Sequence, residues 1–306
     1  MKHVLHSWGI EDGVMNQISQ SVYVVEEGGG QRYILKRMSG DIEKINAELE
    51  LLFNLSSHEV KVQKPIMNKE GTWSVSDQHQ VYVLFNYVEG SPLPANDIHT
   101  IIAHGKEVGA QLAILHRELK DIQQTPFYPT IYLNKKICEW AIPQLGSHLK
   151  LRADTHHIFA NVEQGLKAVC PKLPAQLIHR DAHITNLIFN NHKLTGFIDF
   201  EIVEHNIRLF DICYFLTSVL SEVYKDEQKR EKWLELVKVV VAGYEEVEML
   251  TEEERQSIWL VMCSIEIIFI SFFKNIEIMA RLNEEMLHWI YNKRDEISDV
   301  VTKQEH

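Results

Sequence analysis

Two short segments gather polar groups of the kind that move phosphoryl groups. LIHRDAHITNLIF, residues 177–189, holds Asp181 and Asn186 five apart between two apolar runs. TGFIDFE, residues 195–201, ends an apolar run on Asp199, thirteen positions after Asn186. If the two runs pair as a hairpin, Asn186 and Asp199 leave it at the same end. A carboxylate beside an amide oxygen is a pair of hard oxygen ligands, suited to a Mg²⁺ that carries a nucleotide's phosphates. Asp181, further along the loop, is suited to orient a hydroxyl and accept its proton. Asp and Asn also favour turns, so none of the three carries the reading alone. Their joint spacing does.

Such a centre needs a second half to neutralise the phosphates, and the first ninety residues offer one. Lys36 closes an apolar strand, RYILKR, and Glu48 follows on a helix. A lysine stem lying in a sheet, with its ammonium paired to a carboxylate, presents a fixed positive charge to phosphate oxygens.

The elements that must position these groups can be read from periodicity. Ser21–Glu26 and Arg32–Arg37 are β-rich runs separated by Gly28, Gly29 and Gly30, which predicts a hairpin. Ile42, Ile45, Leu49, Leu52 and Phe53 recur at helical spacing over 41–55, with Asp41 as N-cap. Strands follow near 72–76 and 80–87, and Gly90 and Pro92 then punctuate a turn. Beyond it the pattern becomes helical over 97–118, 131–142, 154–169, 209–223, 226–247, 251–279 and 283–301. One β insertion interrupts the helices at 177–179, 187–189 and 195–199. The expected fold class is α+β with two lobes, a small antiparallel β lobe (1–90, linker 85–90) and a large mainly helical lobe (91–306).

Composition narrows the function classes. The 306 residues are 45% hydrophobic and 24% charged, an ordinary globular balance. The net charge of −12 repels phosphate backbones, so no nucleic-acid partner is expected. The excess acid lies in residues 222–306, which hold 11 basic and 19 acidic side chains, a wall fit for a cationic or amine-bearing ligand. Four scattered cysteines without a CxxC pair read as reduced thiols in a cytoplasmic protein. The N-terminal residues lack the apolar run of a signal peptide. The 16-residue run 258–273 carries Glu266 near its middle and reads as a buried helix, with no membrane partner expected. Glu266 must then either be paired in the core or face the substrate cleft, because a buried unpaired carboxylate is costly. The sixteen histidines show no metal-ligand spacing.

HRDAHITN and GFIDFE resemble the motifs of the aminoglycoside phosphotransferase and choline kinase family, a kinase-like group of small-molecule phosphotransferases. The order of matching segments runs from about residue 20 to about 215. The resemblance implies a two-lobed protein-kinase-like fold, with ATP and Mg²⁺ as cofactors. It implies Asp181 as catalytic base, Asn186 and Asp199 as metal ligands, and Lys36 as the phosphate-binding lysine with Glu48 its helix partner. VLFNYVEG (83–90) is similar to the inter-lobe linker, so the backbone of Asn86 and Val88 is expected to bond adenine. His179 and His183 correspond to the loop histidines, and Asp211 of NIRLFDIC to a structural aspartate. Arg180 departs from the family's usual glycine. There is no G-x-G-x-x-G, so phosphates are expected at the turn around Ser19 and Ser21. Only twelve residues separate Asp199 from Asp211, too few for the long activation segment of protein kinases.

The expectation is therefore a monomeric or homodimeric enzyme moving the γ-phosphoryl of ATP to a hydroxyl of a small amine-bearing molecule. Amino alcohols, homoserine-like amino acids and aminosugars fit this description. Glu201 and Glu266 are placed on the acceptor side. The rival readings are a kinase of the same fold acting on Ser or Thr of proteins, and a catalytically silent binding or coat protein.

Overall fold

The computed structural model describes residues 2–58, 60–122, 126–145 and 150–302. The chain divides into two compact units. Unit 1 comprises Met1–Ser91, Ile188–Asn191 and Thr195–Glu201, and unit 2 comprises Pro92–Leu187, His192–Leu194 and Ile202–His306.

Unit 1 opens with the short helix α1 (Lys2–Leu5) and is built on an antiparallel five-stranded sheet in the order β1-β2-β3-β5-β4. The strands are β1 (Val14–Gln17), β2 (Val22–Glu26), β3 (Arg32–Met38), β4 (Ser74–Asp77) and β5 (Gln80–Asn86). Alternation puts Val25, Leu35 and Leu84 in the core with Leu5 of α1. Helix α2 (Ile42–Ser56) is capped by the Asp41 carboxylate, which accepts from the Glu43 N–H at 2.8 Å. The sequence reading misses β1, whose residues are mostly exposed and lack an apolar alternation.

Strands β7 (Leu187–Asn190) and β8 (Lys193–Phe197) pair with each other as a separate sheet. The sequence reading ends the small lobe at residue 90, whereas most of this hairpin belongs to unit 1. Backbone pairing is the reason: Ser91 and Phe189 exchange N–H···O bonds of 3.0 and 2.9 Å, and the Phe197 N–H donates to Lys61 O at 2.8 Å. Gly90 makes the approach possible. It lies at φ 122°, and a Cβ there would sit 2.1 Å from the Phe189 carbonyl oxygen.

Unit 2 is helical. Helix α3 (Ile98–Lys120) is followed by α4 (Leu133–Lys135) and α5 (Ile142–Gln144), which flank a π-helical turn at Lys136–Ala141. Then come α6 (Thr155–Val169), α7 (Leu209–Val223), α8 (Glu227–Glu245), α9 (Glu252–Phe272), α10 (Glu277–Asn292) and α11 (Arg294–Thr302). The predicted helix over 251–279 stops at Phe272, and a new helix starts at Glu277. Helix α9 is long and apolar enough to cross a membrane by composition, and 72% of its most apolar window is buried inside the protein. Strand β6 (Ala175–Ile178) pairs antiparallel with β9 (Glu204–Ile207), a strand the sequence reading does not anticipate.

Helices α3 and α8 meet backbone to backbone. A Cβ on Gly109 would lie 1.9 Å from the Val240 carbonyl oxygen, and one on Gly243 would lie 2.0 Å from that of Lys106. The four cysteines are unpaired, with Cys213 and Cys263 buried.

Candidate active site

In unit 1, Lys36 stands on β3 between Val22 of β2 and Val83 of β5. Its side chain is only 15% exposed, and its ammonium bonds Asp199 Oδ1 at 3.1 Å and Glu201 Oε1 at 2.5 Å. Burial disfavours the charged form, but the two carboxylates outweigh it and raise the Lys36 pKa. The partner expected from sequence, Glu48, is not the one these bonds use. Glu48 is buried, and burial pushes its carboxyl up to about 7 against the opposing pull of Lys36. A side chain held toward its neutral form competes poorly with two solvated carboxylates. Glu201, expected on the acceptor side, is thus found on the lysine.

Lys36 and Asp199 form the polar end of a cleft of about 320 Å³ within unit 1. Val22, Val24 and Ile34 of the sheet line it, with Val88 of the linker and Ile188 and Ile198 of the hairpin. Apolar side chains on the sheet and on the hairpin suit a flat aromatic base, and a charged end suits phosphates. Val88, expected at the base, lines this cleft. Asn86 is not among the lining residues: its N–H donates to Lys64 O at 3.0 Å and its Oδ1 accepts from the Lys64 N–H at 2.6 Å, so its backbone donor is already used. Ser19 and Ser21 also lie outside the cleft lining. The Ser19 N–H turns to Val22 O at 3.2 Å and that of Ser21 to Ser19 Oγ at 3.4 Å, because the tight β1–β2 turn closes on itself.

In unit 2, the loop after β6 is held by Asp211, the third residue of α7. Its Oδ2 accepts from the His179 N–H and its Oδ1 from the Arg180 N–H, both at 2.8 Å. His116 Nε2 lies 3.1 Å from Oδ2, and His116 Nδ1 lies 2.9 Å from the Tyr244 hydroxyl. Burial acts to raise the Asp211 pKa, yet His116 and the His179 N–H together hold it below the usual carboxylate value. Arg180 takes φ 74°, a left-handed conformation that explains the family's preference for glycine there. Its side chain is engaged by Glu204 at 3.2 Å and lies over the Phe210 ring.

The loop presents Asp181. The Asn186 amide donates to Asp181 O at 2.9 Å and to Oδ2 at 2.8 Å, and the Tyr214 hydroxyl donates to Oδ1 at 3.0 Å. Both Asn186 N–H groups are thus spent on Asp181, which leaves its Oδ1 as an oxygen donor for a metal. Asp181's own N–H donates to His179 Nδ1 at 3.2 Å, which locks the turn. His183 caps the 3₁₀ turn Ile184–Asn186, and burial lowers its pKa. Asp199 follows β8 by two residues, itself at φ 68°. Among the described residues no three His, Cys, Asp or Glu gather into a metal site. Asp199 in unit 1 and Asn186 in unit 2 each present an oxygen of the hard kind that Mg²⁺ takes.

Tyr214 and Glu266 also line a cavity of about 460 Å³ in unit 2, with His183, Phe269 and Phe273. Glu266 is 1% exposed, and its Oε2 has no hydrogen-bond partner among the described residues. Burial raises its pKa well above the ordinary value. Of the two alternatives for Glu266, it faces the cavity. Tyr214, buried at 7% exposure, is not among the site residues expected from sequence. The signal available for it is spacing, since it lies three residues after Asp211 and so shares that helix face.

An antiparallel sheet carrying a buried lysine, joined to a helical unit with an aspartate–asparagine loop, is the kinase-like phosphotransfer fold. The chain belongs to the phosphotransferase enzyme family whose sequence profile, APH, matches residues 14–249. It is similar to the homoserine kinase of Phenylobacterium zucineum, 26% identical over 82% of this chain and 73% of that one. The homoserine kinase of Nitrobacter winogradskyi is 25% identical over 69% of this chain, which spans 62% of that protein's length. Among solved structures, a microcompartment-associated aminopropanol kinase superposes with a TM-score of 0.69 at 15% identity, covering 98% of this chain and 96% of that one. An amicoumacin kinase in complex with AMP-PNP and Ca²⁺ superposes at 0.66 and 19% identity, covering 95% and 89%. These likenesses are of fold.

Proposed function

We propose that the protein transfers the γ-phosphoryl group of ATP, with Mg²⁺, to a hydroxyl of a small amine-bearing molecule. Asp199 and Asn186 are the residues that would hold the metal, and Lys36 would neutralise phosphate oxygens. Val88 lies along the base. Asp181 orients the acceptor hydroxyl and takes its proton. The metal's contribution is to offset the charge on the triphosphate. His179, His183 and Asp211 keep the loop in shape.

The observation that carries this reading is the setting of Asp181. It is fixed by Asn186 and Tyr214, and Tyr214 is at once a wall of the cavity that contains the unpartnered Glu266. A base and an acceptor pocket that share a side chain are the arrangement an alcohol acceptor requires. Membership of the phosphotransferase family and the homoserine kinase relatives support the same reaction class.

The test is ADP release from Mg·ATP by wild type and Asp181→Asn across choline, ethanolamine, homoserine, aminosugars and aminoglycosides. Acceptor-dependent release lost in the variant is expected. Phosphate appearing only on protein, or release indifferent to every acceptor and to Asp181, would overturn the reading.

A further inference from the structure

Besides Glu266, the 460 Å³ cavity in unit 2 has walls of a selective kind. One side is aromatic: the Tyr214 and Phe269 rings stack at 5.8 Å and 23°, and Phe269 stacks on Phe273 at 5.9 Å and 16°. Met279, Leu282 and Met286 continue the apolar surface. The hydroxyls among these walls have already spent their donors, and the Asn283 amide has spent one of its two. The hydroxyls of Thr217, Ser218 and Ser221 donate to carbonyls of their own helix at 3.2, 2.7 and 2.8 Å, and the Asn283 amide donates to Met279 O at 2.7 Å.

What the cavity offers a ligand is therefore mainly acceptors and ring faces. No lysine or arginine is among its described lining residues. The acids that line it are the buried Glu266, which burial holds toward its neutral form until a cation enters, and the exposed Glu222. An ammonium fits this set twice over, by pairing with Glu266 and by lying against aromatic faces. A carboxylate entering it would lose its water and meet acids.

We propose that this cavity takes a cationic amino alcohol that carries an apolar substituent and no carboxylate, so that a free amino acid such as homoserine is disfavoured. The inference rests on the small-molecule phosphotransfer reading and narrows it. It also separates this chain from what its homoserine kinase relatives are named for. The apolar substituent has somewhere to go. The end of α9, the start of α10 and the turn between them supply Phe273 and Met279 to the cavity, while Phe272, Ile276 and Ile278 there are 67, 51 and 78% exposed. A cavity of this size also exceeds the needs of a four-carbon substrate and falls in the range that encloses larger organic molecules.

Three acceptors test it: L-homoserine, 3-amino-1-propanol (the same chain without its carboxylate) and N-benzyl-3-amino-1-propanol. Acceptor-dependent ADP release should give kcat/KM at least roughly 30-fold higher for aminopropanol than for homoserine, about 2 kcal/mol in transition-state binding. The benzyl compound should improve KM further. In parallel, calorimetry of the benzyl compound should show at least roughly tenfold weaker binding to Glu266→Gln than to wild type, with AMP-PNP binding equal in the two. Homoserine used as well as aminopropanol would overturn the inference and leave phosphotransfer standing. Equal binding to wild type and Glu266→Gln would also overturn it. Glu266-dependent binding with no turnover of any acceptor would sink the phosphotransfer reading, and the acceptor role of the cavity with it.

Discussion

The hydroxyl of Tyr214 donates to Asp181 Oδ1 at 3.0 Å, while the Asn186 amide donates to the other oxygen of the same carboxylate at 2.8 Å. A carboxylate gripped from both sides has one orientation, and the Tyr214 ring that helps to grip it is also a wall of the acceptor cavity. Removing the grip without emptying the wall isolates positioning. Tyr214→Phe should lower kcat about tenfold or more, the worth of a hydrogen bond to a charged group. Nucleotide affinity should be unchanged. An unaltered kcat in steady-state assays would mean that Asp181 is held well enough by Asn186 alone.

Asp199 sits at φ 68°, a conformation that Asn adopts nearly as readily as Asp. Asp199→Asn therefore removes charge with little backbone strain. Turnover should fall by roughly 10³-fold or more, since phosphoryl transfer depends on charge neutralisation. The melting temperature should stay within a few degrees, because the ion pair lost to Lys36 involves a half-exposed carboxylate. Calorimetric melting and ADP release on one preparation check both halves.

Glu48 links stability to pH. Its folded-state pKa of about 7 lies above the ordinary 4.5. A raised carboxyl holds its proton more tightly when folded, so the stabilisation is complete below about pH 4.5 and is lost as pH rises toward 7. The loss is on the order of 3 kcal/mol. Glu48→Gln does not titrate. Urea midpoints between pH 4.5 and 8 should therefore fall more steeply for wild type than for the variant, and parallel curves would contradict the assignment.

Packing of α3 on α8 makes a sharper demand than any side chain. Gly109→Ala drives a Cβ to 1.9 Å from a carbonyl oxygen of α8, where only backbone movement can relieve it. The expected cost is about 3 kcal/mol. Gly29→Ala, with nothing within 4 Å of its added carbon, should cost far less. Chemical denaturation of the pair reads the difference directly.

Much of this was legible before any coordinates. Lys36, Asp181, Asn186 and Asp199 stand out because their types and spacing suit one chemistry, and periodicity found β2, β3, α2 and α7 within a residue or two. The failures share a cause. Strand β1 has no apolar alternation to read, and α9 and α10 merged because both helices are apolar at their junction. Asn86 looked available because linker spacing says nothing of Lys64, whose backbone takes up its donor. Glu201 takes the bond to Lys36 that sequence assigns to Glu48, because burial, which no spacing reports, disfavours the charged form of Glu48. His116 lies 95 residues from its partner Asp211, a separation at which local pattern carries no information.

The hairpin of β7 and β8 means that unit 1 cannot be lifted from the chain as one piece of sequence. A peptide ending at Ser91 would leave behind Phe189 and Phe197, whose backbones bond Ser91, Lys61 and Gln63. A protease nick between Ser91 and Pro92 would accordingly yield two fragments that travel together on a sizing column until denaturant parts them. Recombining this half with that of a relative would require two crossovers, one on each side of the hairpin, besides the one at the linker.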